Sequence, residues 1–518
     1  MQLPIVVVKK VQYPLITHRF ICNNILLNCP EDTNVIILGS SGSFSDKITN
    51  KKYMKKVCLL FIVCIHSLLS FSQLKSHVDE RSELLGIVFR LAGAEEYVNN
   101  QVKNYAEDID TYFAPYKNHP LIQYTKKIRE ENGIAYNAVA GLVPLLSIEK
   151  GRIALNKESN LDNFLNPSNQ WNTENLAKFI SLLDDFYRKT QFRRFFTGHQ
   201  NLYFQAESRF NTLLDSIDTN WFSSFFGQAL NDPLVIVSLT NGPNNYGGIC
   251  TYKNKPSHSM VVIGCTSTDE LNNPIFDPDQ IMPVIIHEIC HYYIDKLDLK
   301  PIKDMQASAD KIFPFVQEQL LKRAYGDSKT MIYEYLANLC TASYFESNPT
   351  DFDAFHITFD ETGGFIWLRD ALVFLKNFTE NRQLYPIFND FMPQLVGFMN
   401  MIADNIENYV ASYHFRFPQV ISVYPAQNSI INADTKEFRV NFSHPMWEAF
   451  GTGKSDETNL EMPCIGDSYW SENRKTLIIP VVLEKGKQYG FKLLHYVFLS
   501  ENAYSMEKDY EIRFQTEQ

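Results

Sequence analysis

The chain has 518 residues, 45% of them hydrophobic and 21% charged, and a net charge of −11. That length suits two or three domains, and the composition is that of a globular protein able to bury a sizeable core. The acidic balance argues against a nucleic-acid partner, and no apolar run reaches the roughly 18 residues of a membrane-spanning helix.

In chain order, the first feature is Met54-Lys55-Lys56, the apolar run Val57 to Leu69, and then "SFSQ". A charged start, a short apolar stretch and a small-residue exit read as a signal peptide over 54–72, cleaved near Ser72–Gln73. On that reading Met54 is the initiator and 1–53 is a misassigned N-terminal extension; the competing reading keeps 1–53 as a genuine part of the chain. The exit resembles those of one group of Gram-negative bacteria. The expected location is therefore secreted, periplasmic or cell-surface. Cys64 follows Phe61-Ile62-Val63 and lacks the small neighbour that lipid attachment needs. Beyond the signal, Cys250, Cys265, Cys290, Cys340 and Cys464 are too sparse and odd in number for a disulfide framework.

Residues 80–230 read as mostly helical, with apolar residues three and four apart in "SELLGIVFRLAGAEEYV" and "TENLAKFISLLDDFYRKTQFRRFF". The run "QNLYFQ" at 200–205 resembles an engineered protease site but continues a helical pattern. Short β-branched runs at 233–240 and 258–266 predict strands, separated by Gly-, Asn- and Pro-rich turn chemistry. Asp277-Pro278 is a helix start, with the regular helix expected from Pro283. Helices are expected through "ADKIFPFVQEQLLKRAYG", "SKTMIYEYLANLCTASYFE", "IWLRDALVFLKNF" and "FNDFMPQLVGFMNMIADNIENYVASY". Past Phe417-Pro418 the period becomes that of strands, and 416–518 fits a small β-sandwich.

The stretch "VIIHEICHYYID" (284–295) carries chemistry on an apolar helix. His287 and His291 are four apart and share a face, so both can bind one metal ion. Glu288 makes the pattern H-E-x-x-H, with the glutamate as candidate general base. A catalytic zinc takes three protein ligands and keeps one open position. The residues after His291 lack the glycine and third histidine of the metzincin pattern. A glutamate on a second helix is the alternative, and Glu334 in "MIYEYLANL" is costly there unless paired or metal-bound. Its rivals, Glu318 and Glu346, occupy more polar positions.

Other residues are candidates for supporting roles. Asp295 lies four residues after His291 and could accept a bond from it; Asn338 lies one turn past Glu334 and could steady it. Tyr409, Tyr413 and His414 are possible oxyanion donors. Cys290 reads as a buried thiol. Tyr246-Gly247-Gly248 could border the cleft, where glycines let a substrate backbone approach.

The His287-Glu288-x-x-His291 helix followed by Glu334 resembles the gluzincin clan of zinc metallopeptidases. With "SELLGIVFRLAG", the FFTGHQNLYF helix and the YGG turn, it is more closely similar to a bacterial family of secreted proteins catalogued as a domain of unknown function. The resemblance covers about 80–415, divided into a helical part (80–230) and an active-site part (231–415). "VNFSHPM" resembles the strand ending of bacterial Ig-like domains. The fold class so implied is α+β: a zincin-like, mostly helical domain with a small sheet, then an Ig-like β-sandwich. The implied function is a secreted zinc metallopeptidase with one Zn²⁺ per chain and a peptide or protein substrate. Two rivals stay open: an inactive zincin-fold protein, and a surface adhesion protein working through the Ig-like region, where Trp447 and Trp470 could form a platform. Specificity and oligomeric state are not legible.

Overall fold

The computed structural model describes residues 74–518, apart from 99–100, 166–169, 231–232, 351–352, 456 and 458–459. The expected signal peptide, its cleavage point and the 1–53 extension lie outside the described residues. The chain from Gln73 onward forms one compact unit of mixed helices and sheets. It holds two apolar cores, one drawn from Leu74 to Ile406 and one from Ile431 to Phe514. Among the described residues, no helix is long and apolar enough to cross a membrane.

The first core is mostly helical and surrounds a four-stranded sheet. Its strands are β1 (Ser76–His77), β2 (Leu234–Ser238), β3 (Asn245–Cys250) and β4 (His258–Gly264), in the order β1-β2-β4-β3. The first three neighbours run parallel, while β3 pairs antiparallel with β4 and forms an edge. Val235, Ile236 and Val237 of β2 and Val261, Val262 and Ile263 of β4 are all buried. Continuous β-branched runs of this kind suit strands covered on both faces. The turn-like stretch between β2 and β4 supplies β3 itself, because Tyr246 and Cys250 bury their side chains while the backbone pairs with β4. A small hairpin, Leu146–Glu149 with Arg152–Leu155, interrupts the helical N-terminal part. It turns through Lys150 and Gly151, both with positive φ (50° and 73°), as tight hairpins require.

Helix α1 (Glu80–Leu91) packs against β2. Helix α2 (Pro278–Ile294) packs on β3 and β4 and against α3 (Ser328–Ser347). Helix α4 (Asp353–Thr362), α5 (Leu368–Thr379), α6 (Phe388–Asp404) and α7 (Ile406–Tyr413) complete this part.

The C-terminal region is rich in β-structure. One sheet contains β5 (Val420–Tyr424), β7 (Glu437–Phe442), β9 (Cys464–Ile465) and β10 (Thr476–Val482), in the order β9-β10-β7-β5. The other contains β6 (Ser429–Ile431), β8 (Thr452–Lys454), β11 (Gln488–Leu493) and β12 (Tyr510–Thr516), in the order β6-β12-β11-β8. Phe438, Val440 and Phe442 alternate inward along β7 and meet Phe491 and Phe514 in the second core. Trp470 packs on Phe442 and Phe498 within that core. The Trp447 indole donates to the Glu501 carbonyl and the Trp470 indole to the Glu448 carbonyl.

This region is joined to the helices through α4. Glu361 is fully buried and accepts from Arg416, Arg369 and the Tyr504 hydroxyl. Thr358 donates to the Asn502 carbonyl from the same helix. The five cysteines among the described residues are all free, and Cys250, Cys265, Cys290 and Cys340 are buried.

A candidate metal centre

Helix α2 starts at Pro278, with the Asp277 carboxylate accepting from the Asp279 amide at 3.1 Å. Pro at the first position loses no helical bond, because the first-turn amides have no partner within the helix. Pro283 does not delay the start as expected; the helix runs through it. Ile285, Ile286, Ile289, Cys290, Tyr292 and Tyr293 are buried, leaving Val284, His287, Glu288 and His291 partly accessible. Those positions follow i, i+3, i+4, i+7 and make one stripe facing a cavity. Helix α3 is capped by Asp327, which accepts from the Thr330 amide at 2.7 Å, and brings Glu334 to the same cavity.

The three side chains converge. His287 Nε2 lies 3.0 Å from His291 Nε2, and Glu334 Oε2 lies 3.3 Å and 3.5 Å from those two nitrogens. This is the cluster of metal-ligating groups found among the described residues. A tetrahedral ion with ligand bonds of about 2.0–2.1 Å has donor–donor edges of ~3.3 Å, so the triangle has the size one zinc ion needs. Without a cation, burial opposes charge on His287, but Glu334 and Glu288 outweigh it and raise its pKa to about 9. Burial likewise opposes ionisation of Glu334, and hydrogen bonds from His287 and His291 more than reverse it. A proton thus holds together donors that a cation could hold instead.

Glu288 reaches over β3. A Cβ placed on Gly247 would lie 1.5 Å from Glu288 Oε2, so only glycine lets the carboxylate sit there. Burial raises the Glu288 pKa, and the two histidines work against that rise. A carboxyl raised in this way holds a proton more readily than an exposed glutamate, which suits a group that both takes and returns one.

Two cavities meet at this point. The smaller, about 400 Å³, is lined by the His287, His291 and Glu334 cluster, by Glu288, and by the backbone of Tyr246-Gly247-Gly248. The larger, about 680 Å³, runs between α2 and α3 toward α4 and shares Asn245, His287, Glu288 and Tyr325 with the smaller.

The structure thus brings together His287, Glu288, His291, Glu334 and the Tyr246-Gly247-Gly248 edge. Glu318 instead pairs with Lys322, and Glu346 with Lys376. Asp295 lines the smaller cavity from the exposed end of α2; its amide donates to the His291 carbonyl at 3.0 Å, but its carboxylate is not hydrogen-bonded to the His291 ring. Asn338 does not steady Glu334; it lines the larger cavity, and its Nδ2 has no hydrogen-bond partner. The oxyanion-donor expectations are corrected. Tyr409 lines a separate cavity with Asp370 and Phe374, Tyr413 packs on Phe417 and Tyr504, and exposed His414 lies against Phe415. None of the three lines either cavity at the metal cluster. Cys290 is a buried free thiol, and burial raises its pKa.

Two lining residues escaped the sequence reading. Tyr325, on the loop before α3, lines both cavities, and the nearby Glu334 carboxylate together with burial raises its pKa. Asn137 lines the smaller one from the N-terminal part. Neither stands out locally, since Tyr325 is one of 27 tyrosines.

A family model described as "Domain of unknown function (DUF4932)" matches residues 61–398. The match ends before the β-rich C-terminal region. No curated protein matches the chain. Among solved structures, the chain is similar to the S-layer protein rSbsC(31-844), at 15% identity over 45% of this chain and 33% of that one, with a TM-score of 0.17. It is also similar to surface layer protein SbsC, domains 1-6, at 16% identity over 44% of this chain and 33% of that one, again with a TM-score of 0.17. The chain thus spans about a third of those structures, and neither similarity is close enough to show a shared fold.

Proposed function

The chain belongs to the family described as DUF4932, and from that premise and the geometry of its cavity we propose that it is a secreted zinc metallopeptidase of the gluzincin type. His287, His291 and Glu334 are the ligands and Glu288 is the general base. The observation that carries this reading is the 3.0–3.5 Å donor triangle with an acid from the same helix beside it. The β-rich C-terminal region is read as an Ig-like sandwich.

A zinc ion held there supplies a Lewis acid that polarises a carbonyl and acidifies water. Glu288 takes a proton from the attacking water and delivers it to the departing amine, as its position and raised pKa suit. The open edge of β3 offers unpaired backbone groups to an extended peptide, and Gly248, where a side chain would meet only Met260, leaves room for that peptide to approach. Tyr325, which lines both cavities beside Glu288, is the residue we assign to donate to the developing oxyanion.

The test has two parts. Purified protein should contain about one zinc per chain, and added zinc should raise its Tm. Glu334→Gln should abolish that rise. Wild type should cleave peptides, whereas Glu288→Gln should retain zinc and lose at least about 10³-fold in kcat/KM. If Glu288→Gln cleaves as well as wild type, the assignment of the base is wrong.

A further inference from the structure

Two walls run past the metal cluster from one cavity into the other. Helix α2 gives Gln280 and Val284 to the larger cavity, His287 and Glu288 to both, and His291 and Asp295 to the smaller. The chain through β3 keeps the same order: Pro243 and Asn244 line the larger cavity, Asn245 lines both, and Gly247 to Ile249 line the smaller. Both walls therefore pass the cluster in the same direction, and the two cavities are halves of one groove between α2 and the edge of the sheet.

The two walls give the same length. Gln280 to Asp295 spans about 22 Å at the helical rise of ~1.5 Å per residue. Pro243 to Ile249 spans at most about 20 Å at an extended rise of ~3.3 Å per residue. The cluster is not at an end of this groove. Along α2, His287 lies about 10 Å from Gln280 and His291 about 6 Å from Asp295. A strand rising ~3.3 Å per residue thus fits about three residues on one side of the cluster and about two on the other. Both ends are open as well. Pro243 and Gln280 at one end, and Gly248 and Asp295 at the other, are exposed, whereas His287, Glu288 and His291 between them are only partly so.

We propose that the site cuts internal bonds of a polypeptide held extended through this groove, engaging about six residues at once, and does not trim chain ends. The cutting rests on the hydrolase reading; the groove does not. Pairing with the β3 edge requires an extended partner, so the substrate is a flexible or unfolded stretch of protein. Water adds across the peptide C–N bond. Its oxygen stays on the carbonyl carbon as a new carboxylate, and its two protons end on the departing amine. Each cut leaves two shorter chains, which leave by opposite ends of the groove.

The experiment uses the full zinc-loaded chain and one flexible sequence in three forms: acetylated and amidated peptides from tripeptide to decapeptide, the decapeptide with either end free, and a head-to-tail cyclic peptide. Mass spectrometry follows cleavage, and calorimetry follows binding to Glu288→Gln. The cyclic peptide, which has no ends, should gain the mass of one water and open. For the blocked peptides, kcat/KM should rise about tenfold or more from tetrapeptide to hexapeptide, as one further backbone hydrogen bond on each side allows, and then level off. Freeing either end of the decapeptide should change its rate less than about threefold, because ends outside the groove are screened by salt. Removal of terminal residues from linear peptides while the ring stays closed overturns the inference and leaves the hydrolase reading standing. Equal cleavage of tripeptide and decapeptide also overturns it. Binding that strengthens up to about six residues, with no cleavage by wild type, overturns the hydrolase reading and leaves the groove standing. Neither binding nor cleavage overturns both.

Discussion

Gly247 lacks a side chain at the place where a Cβ would strike the proposed base, 1.5 Å from Glu288 Oε2. A methyl group there must displace either the carboxylate or β3. Gly247→Ala is therefore expected to lower kcat/KM by about 10²-fold or more, because an ångström of misplacement is enough for such a loss. Zinc content should stay at one per chain, since the added methyl group would strike Glu288 and none of His287, His291 and Glu334. The neighbouring Gly248→Ala would meet only the flexible end of Met260, at 3.3 Å, and should keep most of the activity. Kinetics and metal content measured on the two variants check this; equal losses in both would mean that strand disruption, not the base, is responsible.

The joint between α1 and β2 contains an acid with no water around it. Glu83 is fully buried and accepts from the Tyr105 hydroxyl, the Ser238 hydroxyl and the Leu239 amide at 2.8–3.0 Å. Burial pushes its pKa up to about 7, and those hydrogen bonds only partly oppose the rise. A carboxyl whose pKa is raised on folding costs nothing where both states are protonated, below about pH 4.5. The cost grows as pH rises from there to about 7 and then levels off, at roughly 3 kcal/mol. Denaturant titrations should show wild-type stability falling over that window relative to Glu83→Gln, which cannot ionise. A constant difference between the two from pH 4.5 to 8 would contradict the assignment. Sequence periodicity identifies α1 as a helix, but not that its first turn would hold a buried carboxyl against a strand more than 150 residues away.

Across the whole molecule, the β-rich region and the larger cavity share one helix. On one side α4 presents Ile357, Phe359 and Asp360 to the cavity; on the other, Thr358 and Glu361 hold Asn502 and Tyr504. Tyr504→Phe removes one donor from a fully buried carboxylate and should cost about 1–3 kcal/mol of stability. Amide exchange over 353–362 should quicken more than exchange in α2, because α2 is braced by the sheet instead. Urea denaturation and exchange mass spectrometry measure the two effects. Uniform exchange throughout would mean that the C-terminal contact does not support the cavity wall.

The sequence alone determined what local spacing can determine. The helical period puts His287 and His291 on one face and places Glu288 beside them. An acid within the apolar stretch 331–337 singles out Glu334, because burial of an unpaired carboxylate is costly. β-branched runs and the change of period after Phe417 mark the sheet and the C-terminal β-region. Only the tertiary structure decided the rest: that β3 arises from turn-like residues, that Asn338 faces a cavity rather than Glu334, that Tyr325 borders the cluster, and that Tyr409, Tyr413 and His414 do not. Neighbours on one element are set by the repeat of its backbone, whereas neighbours on different elements are set by how whole faces pack, and that packing depends on every side chain in the core at once.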